Sequence, residues 1–151
     1  MKPVPKRIIN SGPPGTEWFG GEVDRSTITL RVMAKTQDRS VDKKEVVRLL
    51  GCASDQKNLK HWSLHAPARK KADLDAQVVW ILSRVTADLS AWRRLTRLFR
   101  VDLLCGLFLE RMNRGVTLSP STMAALGARG IELGFDIYAP ATETKPEPKK
   151  R

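Results

Sequence analysis

The chain has 151 residues, enough for one domain with a single hydrophobic core. Its 27 Lys and Arg residues exceed its 16 Asp and Glu residues, and the net charge of +11 favours acidic partners, nucleic acid among them. Because no run of about 18 apolar residues occurs and the first residues lack a long apolar segment, we predict neither a membrane span nor a secretory signal.

Composition divides the chain into three parts. Residues 1–25 are rich in Pro and Gly and predict an irregular arm, whose Trp18 and Phe19 are expected to pack against the domain. Residues 26–140 form the predicted globular domain and hold 19 basic and 11 acidic residues, a net charge of +8. Residues 141–151 have almost no apolar side chains, so we expect a disordered charged tail.

The domain begins with a strand, a helix and a second, short strand. Residues 26–33 alternate apolar and polar side chains, which predicts a half-buried strand. Asp42 and Glu45 have the spacing of a helix capping box, and Gly51 is expected to end that helix. The next predicted strand, residues 60–64, is the shortest one.

Two helices follow a basic loop at residues 66–72. Asp73 can cap the first of them, and Trp80 lies nearly opposite its apolar stripe. The second helix follows a break near Thr86 and places Trp92 on its apolar stripe. Four arginines lie off that stripe, namely Arg93, Arg94, Arg97 and Arg100.

The most apolar segment of the chain is residues 101–109. Apart from Asp102 it is apolar at both alternating sets of positions, which predicts a central strand covered on both faces. Cys105 is expected to be a core residue here. Cys105 and Cys52 are the only cysteines, and we expect reduced thiols in a cytoplasmic protein, although a single disulfide is the alternative.

The chain then turns at residues 113–115 and forms a last helix and a last strand. Ser119 and Pro120 are typical of a helix start, and Gly130 of a helix end. In the strand at residues 131–138 one alternating set is expected in the core: Ile131, Leu133, Phe135 and Ile137. The connection is long enough for a parallel crossover, with an antiparallel return as the alternative.

These elements predict a single α+β domain in the order β-α-β-α-α-β-α-β, with a mixed or antiparallel sheet of about four strands and helices mainly on one face. Distinctive segments are STITLRV, Leu49-Leu50-Gly51, Trp62-Ser63-Leu64, DLSAWRR, CGLFLERMNRG and TLSPSTMAALGARGIELGFDIY. With them the chain resembles a bacterial family of unknown function, the domain-of-unknown-function family 4279, over most of residues 26–140. Its link at residues 52–59 is shorter than in that family. The resemblance implies the family's fold, and no activity comes with it.

Metal and catalytic motifs are weak in this sequence. Cys52, His61 and His65 are three potential zinc ligands. The His61-x-x-x-His65 spacing suits zinc best on a helix, however, and these residues fall in a predicted strand and loop, so we predict no metal site. Neither a G-x-S-x-G elbow nor a glycine-rich phosphate loop is present. Glu132 and Asp136 share one side of the last strand and could act in acid–base chemistry or bind a cation, though such residues more often pair with Lys or Arg or face water.

The feature of the sequence that most strongly indicates a binding partner is a cluster of basic residues. Arg93, Arg94, Arg97 and Arg100, assisted by Lys70 and Lys71, could contact phosphates. Trp92 and Phe99 lie on the core stripe, however, and so do not supply the exposed stacking surface that single-stranded nucleic acid needs. We therefore predict a small protein without enzymatic activity or cofactor that binds another protein, of the immunity or accessory type. The alternative is a nucleic-acid-binding protein using the basic helix.

Overall fold

The structure is a computed structural model that describes residues 21–111 and 114–140. Seven strands and four helices occur in these ranges. In chain order they are β1 (Gly21–Glu22), β2 (Arg25–Met33), α1 (Lys43–Leu50), β3 (Trp62–His65), β4 (Arg69–Lys70), α2 (Leu74–Arg84), α3 (Leu89–Leu98), β5 (Arg100–Phe108), β6 (Arg114–Gly115), α4 (Pro120–Ala128) and β7 (Glu132–Tyr138). The predicted packing of Trp18 and Phe19, the predicted tail and the turn residue Asn113 lie outside the described residues.

The main sheet is mixed and has five strands in the described ranges. Its order is β3-β2-β5-β7, with β4 also paired to β2. β2 runs antiparallel to β3, β4 and β5, whereas β5 and β7 are parallel. The predicted α+β class and mixed sheet are confirmed, and the strand after α4 returns by the parallel route.

Each helix begins where a side chain accepts a hydrogen bond from a free N–H of the first turn. The capping residues are Asp42, Asp73, Asp88 and Ser119. Gly51 follows α1 with a φ of 71°, a conformation that favours glycine. Glu45 does not complete the predicted capping box, because its carboxylate instead accepts two hydrogen bonds from Arg48, at 2.8 and 2.7 Å.

The hydrophobic core lies between one face of the sheet and the helices. Alternate residues of β2, including Ile28 and Leu30, are buried there with the apolar sides of all four helices. Trp92 is fully buried and its indole N–H donates to the carbonyl of Thr86 at 2.8 Å. Two buried polar side chains on this side are hydrogen-bonded to each other, because the Ser26 hydroxyl donates to the side-chain oxygen of Gln77 at 2.6 Å. No helix in the described ranges has both the length and the apolarity to cross a membrane.

Three short strands depart from the predicted elements. Arg69 and Lys70, assigned to a loop, form β4 and pair with Ser26 and Arg25. β1, assigned to the arm, pairs in parallel with β6 at residues assigned to a turn. Residues 21–25 therefore lie in the fold, and both short pairings depend on residues far apart in sequence, which local patterns do not report.

The last strand contradicts one core prediction. Ile131 is buried and Leu133 half-buried, but Phe135 and Ile137 are 43% and 66% exposed. β7 is an edge strand of the described sheet. The half that contains Phe135 and Ile137 therefore has β5 on one side and no described strand on the other. Alternation along the strand correctly indicated which residues share a face, but the extent of helix cover over that face is a tertiary property.

Candidate interaction face

The sheet face opposite the helices carries no helix in the described ranges, and we call it the open face. Its residues are alternate members of adjacent strands brought into rows by strand register. They are Ser63 and His65 of β3; Arg25, Thr27, Thr29, Arg31 and Met33 of β2; Arg100, Asp102, Leu104, Gly106 and Phe108 of β5; and Glu132, Gly134, Asp136 and Tyr138 of β7.

A two-point ion pair lies near the middle of the open face. The guanidinium of Arg31 donates from Nε to Oδ1 of Asp102 at 2.8 Å and from Nη2 to Oδ2 at 2.7 Å. Asp102 is buried, with its side chain only 7% exposed, and Arg31 covers it. The hydrogen bonds to Asp102 raise the pKa of Arg31, and the negative charges of Asp102 and Asp136 add to the effect, against the opposing influence of burial. The single acidic residue of β5 is thus neutralised by its cross-strand neighbour.

The two carboxylates singled out in the sequence do not share a site. Glu132 accepts from Nη2 of Arg100 at 3.1 Å, and both side chains are more than half exposed. Asp136 lies two rows further along β7, beside Gly106 and beyond Gly134. The geometry favours pairing with arginine over joint acid–base chemistry, and an exposed pair of this kind adds little stability.

The histidines also occupy separate positions. At His65 the backbone N–H donates to Oδ2 of Asp55 at 2.6 Å and ring Nδ1 lies 2.9 Å from the same carboxylate. Burial raises the pKa of Asp55, but hydrogen bonds from His65 and Ser63 outweigh it and keep that pKa below its usual 3.8. His61 is half-buried, and burial together with Arg31 and Lys43 lowers its pKa below 6.5.

Cys52 is turned elsewhere: its thiol donates to the carbonyl of Ala53 at 3.4 Å. Within the described residues no three His, Cys, Asp or Glu side chains are grouped to hold a metal ion. Among the clefts formed by the described residues are two of about 480 and 440 Å³. Glu132 lines the smaller of these clefts, and none of His61, His65 and Asp136 lines either of them.

An aromatic row spans three strands at the other end of the open face. The rings of Phe108 and Tyr138 stack with centroids 4.5 Å apart and planes 5° from parallel. The guanidinium carbon of Arg25 lies 3.7 Å from the centroid of Phe108. Gly106 makes room for this row, because a Cβ there would lie 2.5 Å from Oγ1 of Thr27 and 3.2 Å from Cε2 of Phe108. Tyr138 keeps 51% of its surface exposed.

The sequence analysis predicted neither the ion pair of Arg31 with Asp102 nor the aromatic row. Asp102 was visible as the exception in an apolar strand, and this was the only signal available for the ion pair. Nothing in the sequence indicated the aromatic row, because Arg25, Phe108 and Tyr138 meet only through the register of β2 with β5 and of β5 with β7.

The predicted basic patch is divided by the fold. Arg93, Arg94 and Arg97 are exposed on α3, in the helix layer, and Arg94 lies 3.4 Å from Glu45. Arg100 is on the open face instead. The register pairs Arg100 with Met33 and Lys70 with Arg25, at opposite ends of β2. Eight residue steps along a strand correspond to about 26 Å, so the two lysines do not extend the arginine surface.

Lys70 and Lys71 line the larger cleft, together with Arg69 and two acidic residues, Glu22 and Asp73. Lys71 has a φ of 62°, the only positive value at a non-glycine residue in the described ranges. Its N–H donates to the carbonyl of Asp24 at 2.7 Å, which holds the chain in this conformation. The cleft therefore combines three basic side chains with two acidic ones.

The fold and site define a small α+β domain with a one-sided mixed sheet. Residues 40–140 match the model of the family described as Domain of unknown function (DUF4279). That range is about two thirds of the chain, and the protein belongs to this family. No match was found among curated proteins or among solved structures.

Proposed function

We propose that the protein is a small binding module without enzymatic activity that holds another protein against its open face. The observation that carries the proposal is the row formed by Arg25, Phe108 and Tyr138, in which two stacked rings and a guanidinium are held in place yet remain accessible. Tyrosine and arginine are the residues that most often anchor protein interfaces. A pre-arranged row loses little conformational entropy when a partner docks.

The charges of the open face also favour a protein partner. Arg31 is neutralised by Asp102 and Arg100 faces Glu132, so positive and negative groups alternate over the surface. A phosphate backbone is held by uncompensated positive charge, whereas protein interfaces combine aromatic anchors with paired charges. Cytoplasmic localisation is part of the proposal, supported by the free thiols of Cys52 and Cys105.

The test is calorimetry with purified proteins encoded by the neighbouring genes, which are the candidates for an immunity or accessory partner. For a partner that binds, Tyr138→Ala should weaken affinity about 30-fold, because an aromatic anchor of an interface contributes about 2 kcal/mol. Val79→Ala, at an exposed apolar residue of α2, is the control and should leave affinity unchanged. Absence of binding to every candidate, or equal binding by wild type and Tyr138→Ala, would refute the proposal.

Nucleic-acid binding through α3 is the second candidate. It is supported by three exposed arginines of α3, Arg93, Arg94 and Arg97. In the described ranges Arg94 has an acidic neighbour, Glu45, at 3.4 Å. We expect affinity for duplex DNA to fall steeply with salt if this surface contacts phosphates.

Filter binding over a salt series distinguishes the two candidates. Changing Arg93, Arg94, Arg97 and Arg100 to Glu should abolish binding. Lys70→Glu with Lys71→Glu changes charge at the far end of the sheet and is the control, compared with the two-residue variant Arg93→Glu with Arg97→Glu. Unchanged affinity in the arginine variant would exclude α3 as a nucleic-acid surface.

A further inference from the structure

The outer edge of β7 has no strand beside it in the part of the chain that the structure describes. In the described ranges β7 pairs only with β5. The N–H of Leu109 donates to the carbonyl of Tyr138 at 2.9 Å, so the backbone groups of Tyr138 point toward β5. Backbone groups of successive residues point to alternate sides of a strand. The N–H and C=O groups of Leu133, Phe135 and Ile137 therefore point away from the sheet.

The side chains of these same three residues form an apolar row on the helix side of the sheet. Phe135 and Ile137 are 43% and 66% exposed, and Leu133 is half-buried. β7 contains no lysine, arginine or proline, the residues that commonly keep edge strands from pairing. Its two charged residues, Glu132 and Asp136, lie on the opposite face.

We propose that a second copy of this chain pairs with β7 in antiparallel orientation about a two-fold axis at Phe135. Phe135 then faces Phe135 of the second copy, and Leu133 faces Ile137 of the second copy. Each of these pairs joins residues whose backbone groups point outward, so each exchanges both of its hydrogen bonds. The same pairing covers the exposed apolar row with an identical apolar row.

Charge selects this register over its neighbours. With the axis at Phe135, Glu132 faces Tyr138 of the second copy and Asp136 faces Gly134, so no like charges are directly opposed. Moving the axis to Gly134 sets Asp136 against Glu132 of the second copy, and moving it to Asp136 sets that residue against itself. Like charges directly opposed across two strands are destabilising.

The pairing is independent of the proposed function. Edge-to-edge association extends the sheet and places both open faces on the same side, where they stay accessible. A partner protein would contact the open face and a second copy the outer edge of β7. Tyr138 borders both surfaces, so the two proposals are tested with different variants, Tyr138→Ala for the partner and Ile137→Lys for the second copy.

Mass measurement in solution tests the association. Sedimentation equilibrium of the full chain should give twice the single-chain mass of 16.9 kDa, and the Ile137→Lys variant should give the single-chain mass. Val79→Lys is the matched control, since Val79 is 65% exposed and Ile137 66%, and it should remain dimeric. A monomeric wild type at its highest soluble concentration, or a dimeric Ile137→Lys variant with native circular dichroism, would overturn the proposal.

Oxidative cross-linking tests the register. In a Cys52→Ser background, Phe135→Cys should form a disulfide-linked dimer, because the facing Cα atoms would be about 5.5 Å apart. Ile137→Cys introduces a more exposed thiol, but the two copies of this residue would be about 14 Å apart and should not link. Cys105 pairs with Phe135 in the register of β5 with β7 and would compete for the new thiol, so the background also carries Cys105→Ala. Preferential linking of the Ile137→Cys variant would refute the register.

Discussion

The two faces of the sheet are stabilised in different ways, although the same strands supply both. On the helix side Leu30, Leu103 and Trp92 are fully buried, and burial of apolar area requires no particular partner. On the open face the contacts are specific pairs, such as Arg31 with Asp102 and Phe108 with Tyr138. One face thus mainly provides folding free energy, while the other fixes the positions of groups such as Arg25 and Tyr138 that remain accessible to a partner.

The largest effect is expected on the helix side, from Trp92→Ala. The variant leaves a cavity and deprives the carbonyl of Thr86 of its indole donor, so the free energy of unfolding should fall by about 3–5 kcal/mol. Urea denaturation measures the change. Val79→Ala, on the exposed side of α2, should change stability by less than about 0.5 kcal/mol. Similar losses for the two variants would contradict the assignment of the core to this face.

On the open face, Asp102→Asn should have the next largest effect. It leaves Arg31 half-buried and without its charged partner, for an expected loss of about 2–3 kcal/mol of unfolding free energy. Glu132→Gln also removes the partner of an arginine, but on an exposed pair, and should cost less than about 0.5 kcal/mol. Equal losses would show that burial does not distinguish the two ion pairs.

Gly106→Ala should cost about 1–3 kcal/mol, because its Cβ would lie 2.5 Å from Oγ1 of Thr27 and the row of side chains must shift. Gly134→Ala is the matched control on the same face, since its Cβ would contact Cδ1 of Leu104 at an ordinary 3.7 Å. Adding Thr27→Ala to Gly106→Ala should restore part of the loss. Thermal unfolding of the four proteins checks this, and a loss in Gly134→Ala as large as in Gly106→Ala would contradict it.

The smallest expected effect is a dependence on pH at His61. Burial, with Arg31 and Lys43 nearby, lowers the pKa of His61 below the usual 6.5, so the unfolded chain binds this proton more readily than the folded one. The contribution of His61 is therefore complete above pH 6.5 and is lost as the pH falls through the lowered value. Urea midpoints from pH 8 to pH 5 should decline more in wild type than in His61→Gln. Parallel declines would contradict the lowered pKa.

Local sequence patterns determined most of the secondary structure. Asp42, Asp73 and Ser119 cap helices at the predicted places, and Gly51 and Gly130 have positive φ where helix ends were predicted. The long strands were equally visible. Capping and alternation depend on residues a few positions apart, so the chain itself displays them without any knowledge of the sheet.

Only the tertiary structure decided which elements are neighbours. Strand order left β7 at the edge and exposed Phe135 and Ile137, and register joined Arg31 to Asp102 across 71 positions of sequence. It also separated Lys70 from Arg100. The sequence by itself thus determined the elements and the two sides of each strand. Only the assembled sheet determined which face of each strand packs against the helices and which face presents a candidate site, because strand pairing depends on contacts between residues that are distant in sequence.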